Sequence, residues 1–220
     1  MPCEIINLET TPSLANRFVR ELRDVNIQTD PLRFRMNLQR IGEIMAYEIS
    51  KRLAYKLEEV TTPLGKTMQQ EAADPVVLAT ILRAGLPFHQ GFLNYFDRAE
   101  NAFVSAYRRY KEKGDTFDVL IEYMAAPDIT GKTLIIVDPM LATGSSMELG
   151  YRALLHNGTP KKVHLASVIA SRQAVDYIAE ALPADITTLW TAAIDPEINA
   201  HSYIIPGLGD AGDLAFGEKL

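Results

Sequence analysis

Cysteine is almost absent from this chain of 220 residues, in which Cys3 is the one cysteine. A single cysteine cannot form a disulfide within the chain, and it cannot anchor a metal ion alone. Disulfide-built scaffolds and cysteine-ligated metal centres are therefore excluded, and a reducing compartment is expected.

Long hydrophobic runs are also lacking. An apolar stretch such as residues 134–137 is far too short for a bilayer, which takes about 20 apolar residues to span. The first four residues contain no basic start that leads into an apolar segment, so no targeting signal is recognised. The sequence predicts a soluble, cytoplasmic protein with no membrane partner.

An excess of positive charge is missing as well. The chain has 22 basic and 28 acidic residues and a net charge of −6, which argues against tight non-specific binding to nucleic acid or anionic lipid. Apolar residues make up 47% and charged residues 23%, which excludes a disordered or low-complexity chain. The charge balance therefore predicts no nucleic-acid partner. The length predicts a single domain over residues 1–220.

Helical and strand patterns alternate along the middle and end of the chain. Two apolar runs, residues 76–82 and 133–137, predict strands that are buried on both faces. Asp30 and Pro31 form an N-cap and first-turn proline, and the helix they open is predicted to run to about Leu57. The other predicted elements are helices over 12–25, 86–96, 145–155 and 173–181, and strands over 102–107, 117–124, 163–170 and 186–191. This alternation predicts an α/β fold with a mainly parallel sheet, in which ligands bind at the carboxyl ends of the strands.

The segment after the strand 133–137 carries the clearest chemical signal. The strand delivers Asp138, and a loop with Thr143, Gly144 and two serines leads into a helix. The N–H groups of a helix N-terminus suit a phosphate monoester, and the Asp138 carboxylate can accept hydrogen bonds from sugar hydroxyls. The pattern therefore favours a ribose-5-phosphate site, although a plain helix N-cap after a strand remains an alternative. This segment is neither a P-loop, because the glycine-lysine pair is absent from it, nor a dinucleotide fingerprint, because it lacks Gly-x-Gly-x-x-Gly.

This segment resembles a motif of a known family, the type I phosphoribosyltransferases, which bind phosphoribosyl pyrophosphate (PRPP). Its Asp-Pro-Met-Leu-Ala-Thr-Gly form is similar to the uracil branch in particular, except that Ser145 stands where that branch usually has glycine. The resemblance implies that PRPP is bound by Asp138, Pro139, Met140, Leu141, Ala142, Thr143, Gly144, Ser145 and Ser146.

The C-terminal run 194–213 resembles the uracil-recognition segment of the same family. The resemblance implies a uracil site at Tyr203, Ile204, Gly209, Asp210 and Ala211. A rigid backbone suits uracil because its edge alternates carbonyl and N–H groups, which need no charged partner. A tail that packs over the sheet is the alternative, and the acids of this run could form a solvated face. The expected C-terminal hood is formed largely by about 190–220.

Two arginine segments complete the resemblance. The run from Thr80 to Leu86 is similar to the family's pyrophosphate loop, which assigns Arg83 to the diphosphate; a surface ion pair is the alternative. Arg108 matches a second PRPP-binding arginine, Arg109 has no assigned role, and the polar residues 111–114 match a mobile flap. Solvated charge is the alternative for the Arg108 pair.

The resemblance implies a type I phosphoribosyltransferase fold: an α/β architecture, mainly parallel sheet flanked by helices, with a C-terminal hood. It implies that uracil and PRPP give UMP and diphosphate, with catalytic roles for Asp138, Arg108 and Asp210. It also implies Mg²⁺ held mainly by PRPP with no protein metal site, GTP as a candidate effector, and a homodimer or higher homo-oligomer.

Two other functions stay open: the same chemistry on another base, such as a purine, and an RNA-binding pyrimidine-operon regulator on this scaffold. The four histidines show no metal-ligand spacing, and surface or helix-face positions are expected for His89, His156, His164 and His201. Trp190 and the aromatic residues of 88–96 are expected in the core or at a subunit contact.

Overall fold

The structure is a computed structural model that describes residues 3–110 and 117–218, and the side chains of 3–105 and 121–218. Within that part of the chain twelve strands alternate with helices. The strands are β1 (Glu4–Asn7), β2 (Tyr55–Thr62), β3 (Gly65–Ala72), β4 (Val76–Leu82), β5 (Glu100–Tyr110), β6 (Phe117–Ala125), β7 (Thr133–Val137), β8 (Met140–Leu141), β9 (Lys162–Ser171), β10 (Thr187–Asp195), β11 (Glu197–Ile198) and β12 (Ile204–Ile205).

The central sheet has the strand order β1-β10-β9-β7-β4-β5-β6, and the short β8 also pairs with β9. Its neighbours are parallel apart from the antiparallel pair β5 and β6. The prediction of a mainly parallel α/β sheet is confirmed. The polar loop and flap predicted at 111–115 lie outside the described residues.

Helices cover both faces of the sheet. They are α1 (Leu14–Arg23), α2 (Pro31–Ser50), α3 (Gly85–Leu93), α4 (Ser145–Leu154), α5 (Arg172–Ala181) and α6 (Ala211–Phe216). The first three and α6 share one buried apolar cluster, to which the sheet contributes Leu78 and Val137. The other two share a second cluster with Val77 and Ile136. Because successive side chains of a strand point to opposite faces, the predominantly apolar strands β4 and β7 supply both cores.

The predicted start of the long helix is confirmed, but its predicted end is wrong. The Asp30 side chain accepts hydrogen bonds from the N–H groups of Leu32 and Arg33, with Pro31 in the first turn. The helix ends at Ser50, and Leu57 lies in β2. A two-residue turn between Thr62 and Gly65 joins β2 to β3, and Thr62 Oγ1 accepts the Gly65 N–H at 3.1 Å. This turn and the polar-apolar alternation before it favour a hairpin over a helix.

The β2–β3 ribbon, residues 55–72, stands apart from both cores. Every residue of its two strands is exposed, including Leu57, Val60 and Met68. Its base is fixed to the body through Ala54, whose N–H donates to Asp74 Oδ2 at 2.9 Å. A two-stranded hairpin with no face buried is marginally stable in water.

The two ends of the chain contain elements that the sequence patterns missed. The edge strand β1 is four residues long, too short to show a periodicity. The glycine-rich tail contains α6, which Asp210 caps. Strand β10 continues to Asp195, so the first part of the segment 190–220 belongs to the sheet, while the single domain and the hood stay predictions. No helix in the described ranges is long and apolar enough to cross a membrane.

Candidate active site

The candidate site lies where the sheet changes winding direction. Strands β4 and β7 are neighbours, with Thr80 opposite Val137. The chain leaves β4 into α3 and β7 into α4, and these two helices pack on opposite faces of the sheet. In such sheets a crevice opens beyond the carboxyl ends of the two strands. Arg83 follows β4 and Asp138 follows β7, so both candidate residues belong to this edge.

The end of β7 is fixed by hydrogen bonds to β9. Asp138 N donates to Ala166 O at 3.1 Å, and Pro139 O accepts the N–H groups of Val168 and Ile169, each at 3.0 Å. The half-buried Asp138 carboxylate accepts the Met140 N–H through Oδ1 at 3.3 Å. This carboxylate is therefore held at the mouth of the crevice.

The loop that follows leads to the N-terminus of α4. Gly144, the N-cap residue of α4, has φ +84° and no side chain that could cap the helix. Ser171 Oγ donates to Ala142 O at 2.6 Å, while Thr143 Oγ1 accepts the Ser145 N–H at 3.4 Å. The half-buried side chains of Ser145 and Ser146 begin the helix. The helix start therefore has N–H groups for an anionic ligand, and the Leu141 side chain packs in the core rather than in the crevice.

Tyr177 on α5 supports this loop, and the sequence analysis did not find it. A Cβ built on Gly144 would lie 2.7 Å from Tyr177 Cδ1, so the ring packs against the glycine. The Tyr177 hydroxyl donates to the Glu148 carboxylate in the first turn of α4, and the Glu148 N–H donates to Gly144 O at 3.0 Å. Burial raises the pKa of Glu148, but the hydrogen bonds from Tyr177 and Arg152 outweigh it and lower that pKa. The loop is thus held from α5 as well as from β9.

Arg83 lies at the exposed edge of the crevice, after a cis peptide bond between Leu82 and Arg83. Its Nη2 donates to Asp213 Oδ1 at 3.0 Å and to Gly217 O at 3.4 Å. A Cβ built on Gly85 would lie 2.2 Å from Thr80 Oγ1, so the backbone after Arg83 packs closely on β4. Arg83 therefore makes a surface ion pair, which was the alternative for this residue, and the pair joins it to the C-terminal segment.

The second arginine segment is described only in its backbone. Arg108 pairs with Val119 and Arg109 with Asp118 across β5 and β6. Leu82 is opposite Ser105, so β5 continues past the end of β4 along the same edge. The side chains of Arg108 and Arg109 lie outside the described part.

The candidate uracil segment is a loop with fixed backbone conformations. Strands β11 and β12 pair antiparallel, and Asn199 Oδ1 accepts the N–H groups of His201 and Tyr203 at 2.9 and 3.0 Å. Tyr203 is exposed and Ile204 is buried.

Beyond β12 the segment turns towards α6. Gly209 has φ +93°, a conformation that favours glycine. Asp210 caps α6, because its Oδ1 accepts the N–H groups of Gly212 at 2.8 Å and Asp213 at 3.0 Å. Ala211 is buried at the start of that helix.

Two sequence interpretations need correction. A solvated face was the alternative for the acids of the C-terminal run, but Asp195 is buried and accepts hydrogen bonds from Arg23. His164, expected at the surface or on a helix face, is buried in strand β9, whereas His89 lies on a helix, α3, with its side chain buried. Burial, together with the charges of Lys162 and Arg52, lowers the pKa of His164 to about 4, so it is neutral at pH 7. The burial of His164 could have been predicted from the sequence, because this residue lies within the apolar run of β9.

Trp190 and the Phe residues of α3 are core residues, as predicted. Among the described residues, no group of three or more His, Cys, Asp or Glu side chains is arranged to hold a metal ion.

The chain matches one protein family over nearly its whole length. The model of the family described as uracil phosphoribosyltransferase matches residues 10–218. A protein of Porphyromonas gingivalis (strain W83) named uracil phosphoribosyltransferase is 66% identical over 217 residues, which are 99% of this chain and 100% of that protein. A protein of the same name from Methanothermobacter thermautotrophicus is 41% identical over 191 residues, 86% of this chain and 86% of that protein.

Solved structures agree with this match. The AQ2163 protein from Aquifex aeolicus gives a TM-score of 0.86 at 30% identity, covering 97% of this chain and 98% of that chain. The orotate phosphoribosyltransferase of Mycobacterium tuberculosis in complex with PRPP gives a TM-score of 0.51 at 13% identity, covering 86% of this chain and 94% of that chain, which is a likeness of fold alone. With a family model, full-length relatives and this fold in agreement, the chain belongs to the uracil phosphoribosyltransferase family, whose members are pentosyltransferases.

Proposed function

We propose that the crevice beyond β4 and β7 is where this chain transfers a 5-phosphoribosyl group from PRPP to uracil, giving UMP and diphosphate, a reaction of pyrimidine salvage. One observation carries the proposal. Strand β7 places the Asp138 carboxylate directly before a helix start with Gly144 at φ +84°, and the adjacent strand β4 ends at a cationic side chain, Arg83. An acid, a phosphate cradle and a cation on one sheet edge match the three parts of PRPP: ribose, 5-phosphate and diphosphate.

The 5-phosphate binds the loop from Ala142 to Ser146. Its oxygens accept hydrogen bonds from the backbone N–H groups at the start of α4 and from the hydroxyls of Thr143, Ser145 and Ser146. These neutral donors bind the phosphate without a cationic side chain in the loop. Pro139 and Leu141 contribute by anchoring the loop on β9, and Met140 through its backbone.

In this proposal Asp138 holds the ribose hydroxyls, Arg83 and Arg108 bind the diphosphate, and Asp210 is also near PRPP. Displacement of diphosphate develops positive charge at the anomeric carbon and negative charge on the leaving group. Asp138 fixes the ring and the arginines neutralise the leaving group, so the chain acts by positioning and electrostatic stabilisation.

The donor set at this edge fits Mg²⁺ only as part of a complex with PRPP. Magnesium requires six oxygen ligands, and Asp138 is the one acid that β7 supplies, with Oδ1 already accepting the Met140 N–H. PRPP oxygens and water would therefore hold the ion, which neutralises charge on the diphosphate.

Uracil is read by the backbone near Ile204 and from Gly209 to Ala211, beside the exposed Tyr203. Cytosine presents an amino group where uracil has its 4-carbonyl, so a backbone N–H would face another donor. Such a mismatch in a site built for hydrogen bonds costs roughly 10⁴-fold in specificity. Purines are excluded by size.

A panel of bases incubated with PRPP and Mg²⁺ tests the proposal. We expect UMP from uracil, turnover of 5-fluorouracil, and no turnover of cytosine, hypoxanthine or guanine. Product from a purine at a comparable rate would assign the chain to another base. A filter-binding assay with pyrimidine leader RNA tests the alternative of an RNA-binding regulator. Because the chain has an acidic charge balance, we expect that it retains no RNA on the filter. Initial rates with and without GTP test the effector.

The exposed ribbon supports the proposed homo-oligomer. Two strands with Leu57, Val60 and Met68 exposed would be stabilised by a partner surface, and we propose that a second copy of the chain provides it. Leu57→Lys combined with Met68→Lys should lower the mass measured by sedimentation, while Leu32→Lys on the exposed end of α2 should leave it unchanged. A cytoplasmic location is proposed from the reducing environment expected for a chain with one cysteine.

A further inference from the structure

The turn that precedes the candidate uracil backbone is held on both sides by one buried ion pair. Arg23, the last residue of α1, donates from Nη1 and Nη2 to Asp195 Oδ2 and Oδ1 at 2.8 and 2.7 Å. Asp195 Oδ2 accepts the Gly207 N–H at 2.9 Å, and Arg23 Nη1 donates to Gly207 O at 3.1 Å. Both polar groups of the Gly207 backbone are therefore bound by the same pair.

The geometry leaves Gly207 little freedom. It has φ +60°, and a Cβ built there would lie 2.2 Å from Ile204 O, so the turn is closed tightly. The Asp195 side chain is 7% exposed and that of Arg23 is 23% exposed. A bidentate arginine–carboxylate pair at this depth fixes direction as well as distance.

A second tether lies one residue further on. The Gln28 side chain donates from Nε2 to Leu208 O at 3.1 Å and to Leu22 O at 2.7 Å. Leu208 is buried, and Gly209 with φ +93° follows it directly. The segment from α1 to Gln28 thus contacts the loop at two consecutive residues, immediately before the backbone proposed to read uracil.

We infer that Arg23, Asp195 and Gln28 are positioning residues for base recognition: they set the backbone of 207–209 so that Ile204 and Gly209 to Ala211 meet the uracil edge. None of the three is required to touch the substrate. The inference rests on the proposed function, because it assigns uracil to this loop. It predicts that loosening the pair affects uracil more than PRPP, since the ribose and the 5-phosphate are assigned to β7 and α4, and Asp210 alone of this loop is assigned to PRPP.

Asp195→Asn is the principal test, because an amide keeps the shape but cannot accept from both Arg23 nitrogens and Gly207. We expect the KM for uracil to rise roughly tenfold, because a charged hydrogen bond is lost. The KM for PRPP should change less than about twofold. The preference for uracil over cytosine should fall as well. Gln28→Ala, which spares the ion pair, should change the same quantities in the same direction by a smaller factor.

Glu21→Gln is the matched control. Glu21 is a buried carboxylate, its side chain also 7% exposed, and it makes a bidentate pair with Arg33 between α1 and α2 without contacting the loop. The Glu21→Gln variant should lower the melting temperature as Asp195→Asn does, but it should leave both KM values and the base preference unchanged.

Hydrogen exchange at residues 204–211 gives a readout that does not need turnover. We expect faster exchange of the Gly207 amide and its neighbours in Asp195→Asn and Gln28→Ala, and unchanged exchange in Glu21→Gln. Unaltered exchange in both loop variants would overturn the positioning role. Faster exchange with an unaltered uracil KM would overturn its link to base recognition. A wild-type chain that makes no UMP would refute the proposed function and this link with it, while the exchange data would still decide whether the pair holds the loop.

Discussion

Arg83 and Asp213 form an ion pair, Nη2 to Oδ1 at 3.0 Å, that joins the loop after β4 to the first turn of α6. The same Nη2 reaches Gly217 O at 3.4 Å. A guanidinium has five N–H donors in a fixed plane, so Nη1 and Nε remain to meet an anion while Nη2 keeps its partners. The pair therefore orients the arginine proposed to bind diphosphate by means of the segment that follows the uracil loop.

Arg83→Lys keeps the charge but loses the planar fork. We expect kcat/KM for PRPP to fall about tenfold to a hundredfold, the scale of charged hydrogen bonds, with a smaller change in the KM for uracil. Steady-state kinetics with each substrate varied in turn measures this. Arg52→Lys, which alters a bidentate pair with Glu4 remote from the crevice, should have no effect. Wild-type PRPP kinetics in Arg83→Lys would remove Arg83 from the site.

Asp138→Asn keeps the size of the side chain and removes the charge that is proposed to face the ribose hydroxyls. We expect kcat/KM to fall roughly tenfold to a hundredfold, because a charge-assisted hydrogen bond contributes about 1.5–3 kcal/mol. Circular dichroism and the melting temperature should be close to those of the wild type. Unchanged kinetics in a folded variant would show that Asp138 does not hold the ribose.

Gly144→Ala adds one methyl group at the phosphate cradle. The change strains a residue at φ +84° and places Cβ 2.7 Å from Tyr177 Cδ1, so the loop must shift. We expect the PRPP affinity measured by calorimetry to fall tenfold or more, on the order of 1.4 kcal/mol. Gly131 has a similar φ of +69°, with open space around a Cβ built there. Gly131→Ala should therefore lower the stability of the fold without weakening PRPP binding. Equal PRPP affinities for the two variants would contradict the cradle.

Gly209→Ala tests the backbone that is proposed to read the base. A Cβ there meets only Leu214 Cδ1 at 3.6 Å, so the cost arises from φ +93° rather than from crowding. A non-glycine residue in that conformation costs about 1–2 kcal/mol, and relaxation of the loop should raise the KM for uracil several-fold while sparing PRPP. Gly131→Ala again serves as the control for backbone strain alone. An unaltered uracil KM would refute the recognition model.

Glu21 makes the stability of the α1–α2 pair depend on pH. Hydrogen bonds from Arg33 and Asn37 lower the pKa of Glu21 to about 2, below its value in an unfolded chain. A lowered folded-state pKa stabilises the fold above the unfolded pKa, and the stabilisation is lost as the pH falls from about 5 towards 2. In urea unfolding, the difference in unfolding free energy between wild type and Glu21→Gln should narrow over that range. Glu4→Gln breaks a pair that is half-exposed on both sides, and it should show no such narrowing.

The sequence predicted the parts of the fold that local physics determines. The strands after Pro75 and Lys132 are apolar at all but one position each, and their predicted bounds agree with β4 and β7. Asp30 and Pro31 marked the start of α2 correctly because capping is a local interaction. The end of that helix was predicted wrongly because Leu53 and Leu57 continue its apolar spacing, although Leu53 is buried and Leu57 lies exposed in β2.

The site was predictable where a motif is contiguous and not where it depends on distant partners. The loop from Asp138 to Ser146 could be recognised from its own residues. Tyr177 could not, because its contact with Gly144 spans two helices and a strand. Arg23 and Asp195 are 172 residues apart in sequence, and neither resembles a ligand-binding residue by itself.

The two faces of the sheet support different parts of the proposed site. The phosphate loop rests on α5 through Tyr177 and Ile178, whereas Ile204, Leu208 and Ala211 pack into the opposite cluster with α1 and α2. The loop proposed to hold the 5-phosphate and the loop proposed to read the base therefore rest on separate apolar clusters, which the sheet and the Arg83–Asp213 pair connect. Substitutions in the cluster around α1 and α2 can then reshape the proposed base site without altering the packing beneath the proposed phosphate loop.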